Sequence, residues 1–485
     1  MSYSAQTALR EVPFKVTNPE LIPKERYYEE EFFRLEKQHF WSKVWQMACR
    51  LEEIPEVGDW VEYRILDQSV LIVRTNDGVK AYHNACRHRG MELAQEHGNC
   101  KNEGFICPFH GWRYNLEGKN TFTWGRHLFS EETLAEVGIN LQPVRIDFWA
   151  NCAFINFDEN AAPFYDYIKP IADRLAPHNV DKLQVEWWTS SVVPCNWKLA
   201  MEAFMEGLHT MKTHPQIHAA FLPGADRYAG PRDPDTPASP LKLTSEGVID
   251  NFVKFQQLMS DGMGGMVHAT DMEVARDLQK TMKLPQDPSE AIAQFQVAMH
   301  DEITKRARAK GIPMPDLNEI AKIREPLRRY CFPNVFLLAR FGNMAAYRIR
   351  PLTAETTLFE IWSLILYPEG EKRPRPIAPT PIAPDDPSYP EIPLQDYSNL
   401  PKQQLGLHST SFKHMVLSRE VEGLISNYQR LIDGYLAGES EENLCQASQI
   451  TSAGLDWPIE DIGFGPAPME VVRGEAFSTV VKVRA

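Results

Sequence analysis

The chain has 485 residues, 43% hydrophobic and 24% charged, an ordinary globular composition for two or three domains that excludes disorder as the default. Its formal net charge of −14 argues against general affinity for nucleic acid or anionic membranes, and eight cysteines are too dilute for a disulfide scaffold. The opening Met-Ser-Tyr-Ser-Ala-Gln-Thr lacks the basic and apolar regions of a secretory signal, and the longest apolar runs, such as Ile361 to Tyr367, are far short of a membrane span, so a cytoplasmic protein is expected.

Residues 26 to 46 mix Tyr, Phe, Leu and Trp with Glu and Lys at helical spacing, which predicts an amphipathic helix packing on the segment C-terminal to it. From Gly58 the pattern becomes strand-like. Asp59 to Ile65, Ser69 to Arg74 and Thr75 to Tyr82 predict a β-meander with a turn at Asn76-Asp77-Gly78. Strand signals continue through Arg113-Tyr-Asn and Cys152 to Phe157, so an N-terminal helical segment over 1–41 and a small all-β domain over 42–165 are expected.

A strand from Val185 and a helix from about Trp197 open a second domain. Amphipathic segments lie between 245 and 330, where Phe295, Met299 and Ile303 keep a four-residue spacing and Ser289 is the expected N-cap. Val335 to Leu338, Ala346 to Arg350 and Thr357 to Tyr367 restore the strand pattern. Nine prolines in 368–393 predict a stiff loop, and a helix is expected from about Ser411 to Leu436. The order predicts an α+β fold. A larger domain over 166–440 would carry an antiparallel sheet flanked by helices, with a helical insertion at about 216–330, the Pro-rich loop, and a C-terminal extension over 441–485.

Two loops carry mixed thiolate and imidazole pairs, Cys86-x-His88 and Cys107-x-x-His110, separated by 18 residues. Glycine follows each pair closely, at Gly90 and Gly111, which lets backbone approach whatever is bound. A Cys2His2 zinc site would be expected to pair Cys with Cys and His with His. Mixed arms instead suit a Rieske [2Fe-2S] cluster, in which two Cys hold one iron and two neutral His the other. The remaining cysteines, Cys100 included, have no ligand spacing and are expected to be core or incidental thiols. His83 and His97 flank the loops. Arg87, Arg89 and Lys101 form either a basic patch for an acidic electron carrier or a solvated face.

Through Asn84-Ala-Cys-Arg-His-Arg-Gly90 and Cys107-Pro-Phe-His-Gly-Trp-Arg113 the sequence resembles the Rieske non-haem iron oxygenases, the aromatic-ring-hydroxylating oxygenase α subunits. Respiratory Rieske proteins carry an extra Cys in each loop, which is absent here. The spacer of 18 is slightly longer than usual for the oxygenases, so an extra turn is expected around His97 to Glu103.

Residues 196 to 214 hold a second set of candidate ligands. At about 100° per residue Glu202, Glu206 and His209 share one helix face and His214 lies well round from it, so both His reach one point only across a π-bulge or helix end, for which Pro215 gives a reason. Two His and a carboxylate on one face of Fe(II) leave positions for dioxygen. Glu202-x3-Glu206-x2-His209-x4-His214, after Asn196-Trp-Lys, resembles the family's mononuclear iron signature. Glu206 departs from it, because most members carry Asp there; some that oxidise quaternary amines use Glu. The third ligand is expected downstream, among Asp385, Asp386, Glu391 and Asp396, and single-residue physics does not choose. The resemblance selects Asp396, which precedes Gln404-x-Gly406. Phe204, Met205, Leu208 and Met211 interleave with the ligands and read equally as substrate pocket or core; His218 is undecided between the same roles.

The resemblance implies a terminal oxygenase acting on a small molecule with O2. Electrons would come from NAD(P)H through a reductase, with or without a ferredoxin, because no Gly-rich dinucleotide fingerprint is present. It also implies a homotrimer, or α3β3 with a β subunit, in which Glu206 and Glu202 are the catalytic-domain carboxylates and Glu206 links the iron to a neighbour's cluster. The leading expectation is (di)hydroxylation of an aromatic or polycyclic substrate; the alternatives are a monooxygenase or demethylase acting on an amine or ether, favoured by Glu206, and, after these, an electron carrier without oxygenase chemistry.

Overall fold

The computed structural model describes residues 11–220, 228, 244–323, 329–452 and 454–468. Two antiparallel sheets organise it. The first has seven strands in the order Gln46–Arg50, Cys152–Asn156, Pro143–Trp149, Gly78–His83, Gln68–Thr75, Asp59–Ile65, His97–Asn99. Its central meander matches the expected one, with Gly78 taking a φ of 130° at the turn. A small sheet of Phe105–Ile106, Arg113–Tyr114 and Asn120–Phe122 stands beside it.

The second sheet runs Gln184–Val193, Thr356–Ile365, Asn343–Thr353, Val335–Ala339, Tyr330–Cys331. The expected insertion is helical, with Ser245–Met263, Ala269–Thr281 and Pro288–Ala309 packing on one another. Asp287 rather than Ser289 caps the last of these, accepting from the Glu290 backbone N–H, and Pro288 fills the first helical position, where its missing N–H costs nothing. Among the described residues no helix is long and apolar enough to cross a membrane.

Three expectations are corrected. The N-terminal segment is irregular, a 3-10 turn Lys24–Tyr27 leading into helical Glu30–Leu35 and Glu36–Phe40, and it packs on the far end of the chain as well as on its sequence neighbours. Leu21–Pro23 pairs with His414–Val416, and Arg26 forms a buried ion pair with Asp433 at 2.5 Å. Helix Glu391–Leu407 begins inside the expected loop, its Pro393 tolerated in the first turn, and it continues through Pro401. The next helix starts at Gly423 rather than Ser411.

The sheets meet through buried Met47, Cys152 and Phe154 on one side and Val335, Leu337, Met344 and Trp362 on the other. Arg348 crosses between them, donating to the Met47 and Ala48 carbonyls while its guanidinium pairs with Glu360 at 2.8 Å.

Candidate metal centres

The two Cys/His loops are built alike. In each, the cysteine carbonyl accepts from a glycine N–H four residues on, Gly90 at 2.9 Å and Gly111 at 3.0 Å, and the cysteine N–H donates to the following residue's carbonyl, Met91 or Trp112, at 2.8 Å. Both glycines sit at positive φ, 77° and 70°, which is why the turn takes glycine. Cys86 and Cys107 are buried in a small core with Trp60, Trp112 and Tyr114. Burial pushes the Cys86 thiol up, and Cys107 beside it adds to that.

His88 and His110 lie on the outer side, ring centroids 4.6 Å apart, with His88 stacked on Trp112 at 5.0 Å. His88 Nδ1 is buried without a hydrogen-bond partner. A buried nitrogen lone pair with nothing to receive is costly in a finished core and suits a nitrogen that takes metal. Two buried thiols inside and two imidazoles outside are the donors a Rieske cluster requires, so the residues fit that group. The Tyr114 hydroxyl stands 3.3 Å from Cys86 Sγ and accepts from the Arg87 N–H at 3.0 Å.

Of the supposed basic patch, Arg87 is committed to the Val137 and Gly138 carbonyls, while Arg89 lies over the Phe109 ring at 5.5 Å. Cys100 keeps to the spacer, its thiol directed at the Gly58 carbonyl.

The second set depends on a break in the helix. Helix Trp197–Glu202 stops, residues 203 to 207 turn, and helix Leu208–Thr213 follows with His214 at its C-cap. The uniform helix that put Glu202 beside Glu206 is therefore corrected. Glu202 instead accepts from the Tyr27 hydroxyl at 2.9 Å and from Gln429 at 2.5 Å. Next to it Lys198 and Glu36 form a fully buried pair at 2.6 Å. Burial pushes the Glu202 carboxyl up to about 7 against those hydrogen bonds.

Ending the helix at Thr213 swings His214 round, as the spacing required. Among the described residues His209, His214 and Asp396 form the group whose ligand atoms all lie within 4.8 Å of one another. Asp396 Oδ1 is 3.2 Å from His214 Nε2 and 4.0 Å from His209 Nε2. It is delivered by helix Glu391–Leu407, whose Gln404 accepts from the Asn196 N–H at the start of helix Trp197–Glu202. Glu206 accepts from His209 twice, from Nδ1 at 2.6 Å and from the backbone N–H at 3.0 Å. Burial would lower the His209 pKa, but Glu206 and then Asp396 raise it overall. Two Nε2 atoms and a carboxylate on one side, with both Nδ1 atoms held from behind, are the donors of a non-haem iron site, and the residues fit that ion too.

Of the interleaved apolar residues, Met205 and Met211 are core. Phe204 is half-buried against Phe336, Tyr347 and Phe359, with ring centroids at 5.7, 5.0 and 5.7 Å; Leu208 is half-buried. Sequence reasoning missed Gln395, which accepts from His214 Nδ1 at 2.6 Å. It also missed Asp456, which accepts from Tyr228 against Gly207, where a Cβ would stand 3.0 Å from Asp456 Oδ1. Adjacency to Asp396 was a signal for Gln395; nothing local marked Asp456.

Residues 44–123 match the Rieske [2Fe-2S] domain family, and residues 180–438 match the catalytic domain of the ring hydroxylating alpha subunit family. The chain belongs to the ring-hydroxylating alpha-subunit family. Both of its candidate ligand sets lie within the matched spans. It is 29% identical over 204 residues to the carnitine monooxygenase oxygenase subunit of Acinetobacter baumannii, covering 41% of this chain and 54% of that one. It is 30% identical over 203 residues to the glycine betaine monooxygenase oxygenase subunit of Pseudomonas aeruginosa, covering 41% and 46%. The chain thus spans about half the length of the curated relatives it matches. Its fold is similar to a quaternary ammonium Rieske monooxygenase bound to L-carnitine, with TM-score 0.54, 18% identity and coverage of 88% of this alpha subunit and 99% of that chain. It is also similar to a naphthalene 1,2-dioxygenase, with TM-score 0.60, 20% identity and coverage of 90% and 98%.

Proposed function

We propose that the chain is the terminal oxygenase component of a Rieske non-haem iron system, using O2 and electrons that reach it from NAD(P)H through a reductase. The observation that carries this is the convergence of His209, His214 and Asp396 in a chain that also holds the Cys86, His88, Cys107, His110 loops. Cys86, Cys107, His88 and His110 would hold the cluster and His209, His214 and Asp396 the iron, supplying when bound one-electron storage and dioxygen activation.

The protein's own groups do the rest. Glu206 keeps a proton on His209 Nδ1, leaving the Nε2 lone pair, on the side where Asp396 stands, free to take a cation. Trp112 and Phe129 pack on His88 and fix its ring. Phe204, half-buried on the turn between Glu202 and Glu206 and backed by the Tyr347 and Phe359 rings, would supply an apolar side to a small organic substrate.

In the assembly, the cluster loops of one copy would serve the iron of a neighbour through Glu206, in a ring such as a trimer. Exposed Phe109 and Met91 at the loop tips, 57% and 43% accessible, support such docking. A variant lacking His88 and one lacking His214, each inactive, should regain activity when co-assembled. Separate inactivity that persists on mixing would count against it.

For the substrate, Glu206 and the carnitine and glycine betaine relatives favour monooxygenation of an amine or ether. The rings around Phe204 favour the second reading, hydroxylation of an aromatic or polycyclic compound. Oxygen uptake with a panel of both classes tests the oxygenase itself. Formaldehyde release supports the first substrate class and a cis-dihydrodiol the second, while no substrate-dependent uptake with a competent reductase rejects the oxygenase.

A further inference from the structure

For Nε2 of His209 and His214 to face a cation, each ring must carry its proton on Nδ1. The two protons are received differently. Carboxylate Glu206 takes that of His209, and the neutral amide oxygen of Gln395 takes that of His214. An amide oxygen can only accept, so this bond specifies the tautomer that leaves His214 Nε2 free.

The Gln395 amide is itself locked. Gln216 Nε2 donates to Gln395 Oε1 at 2.9 Å, and Gln395 Nε2 donates back to Gln216 Oε1 at 3.1 Å, with a longer contact of 3.5 Å to Glu391. Gln216 follows His214 by two residues and Gln395 precedes Asp396 by one. The reciprocal pair therefore joins the two segments that carry these ligands, 179 residues apart. Once the proton is on His214 Nδ1, reversing the Gln395 amide would put an N–H against it, so the tautomer that frees Nε2 fixes the orientation of Gln395 and, through the reciprocal pair, of Gln216.

We propose that Gln395 is a positioning residue for the iron centre. It sets the His214 tautomer and ring angle and, with Gln216, the register at which helix Glu391–Leu407 presents Asp396. The inference rests on the reading of His209, His214 and Asp396 as iron ligands. Because Gln395 is neutral, His214 stays a less electron-rich donor than His209, whose proton is held by an anion.

Fe(II) titration of protein depleted of mononuclear iron but retaining its cluster tests this, the cluster absorbance reporting that the fold is intact. Gln395→Leu should weaken Fe(II) binding by about 10- to 100-fold, the usual effect of removing such a partner. Gln395→Glu, which still accepts from Nδ1, should retain it. Gln216→Ala changes a half-buried residue outside the main core, so it perturbs the fold least, and it should give a smaller loss in the same direction. A merely structural role for Gln395 would not separate the Glu variant from the Leu variant. Unchanged affinity in Gln395→Leu, or in Gln216→Ala if the Leu variant loses its cluster, overturns the inference. Failure of the unsubstituted chain to bind Fe(II) overturns the ligand reading beneath it instead.

Discussion

The Tyr114 hydroxyl lies 3.3 Å from Cys86 Sγ, while its oxygen accepts from the Arg87 N–H at 3.0 Å. With Cys86 as a cluster thiolate, which has no proton to give, the Tyr114 hydroxyl is the donor in this pair. A donor to a cluster sulfur stabilises the more negative, reduced state, and sulfur hydrogen bonding is one determinant of cluster potential. Tyr114→Phe is expected to lower the midpoint potential by roughly 50 mV, the one-electron equivalent of about 1 kcal/mol for a hydrogen bond. A redox titration followed by circular dichroism checks it, and an unmoved potential would show that the proton points elsewhere.

Glu202 gives a pH dependence of stability with a definite sign. Its carboxyl is pushed up from 4.5 to about 7 by burial. The groups facing it are Arg26 and Tyr27 from the N-terminal segment, Glu36, Lys198 on its own helix, Tyr330, and Gln429 and Tyr428 from helix Gly423–Ala437. The folded state thus holds a proton that the unfolded chain releases between the two values. Its contribution is fully present below pH 4.5 and lost as pH rises through about 7, about 3 kcal/mol in all. Glu202→Gln should therefore narrow the difference in thermal stability between pH 5 and pH 8. An identical pH dependence in both proteins would refute the assignment.

Lys198 and Glu36 are both fully buried at 2.6 Å. Removing one partner strands a charge, so Lys198→Met is expected to cost about 3–5 kcal/mol, whereas the double change with Glu36→Leu should recover much of it. Denaturant unfolding of the single and double variants measures the difference. Equal stability of the two would mean that the charge is relieved by another group.

Gly207 lies in the turn between Glu206 and His209, where a Cβ would run into the Tyr228 hydroxyl and stand 3.0 Å from Asp456 Oδ1. Gly207→Ala should displace that pair and with it Glu206. We expect turnover to fall about tenfold or more with the cluster spectrum unchanged, a misplacement near the chemistry of the kind that costs about 10- to 100-fold. Unaltered turnover would show that the turn yields freely.

What was legible in the sequence was local. Cys86, His88, Cys107 and His110 each sit within a short loop, so spacing carries them, whereas His209 and His214, within and at the end of one short helix, are legible only together with those loops and the resemblance. Asp396 was out of reach of single-residue physics, because it comes from a distant helix disguised by Pro393 and Pro401; only the resemblance chose it. Glu202 was misplaced by assuming one continuous helix through 203 to 207. Its partners Tyr27 and Gln429 lie 175 and 227 residues away, and no periodicity reports contacts at such separations. The same is true of the N-terminal segment, whose apolar pattern was legible but whose packing on helix Gly423–Ala437 was not.

That one chain holds a two-iron cluster at Cys86, His88, Cys107 and His110 and a separate iron at His209, His214 and Asp396 is tested most directly by iron and acid-labile sulfide analysis of the purified protein. About three irons and two sulfides per chain are expected, falling to about two irons with both sulfides kept in His214→Ala. Two irons per fully loaded unsubstituted chain, unchanged by His214→Ala, would contradict it.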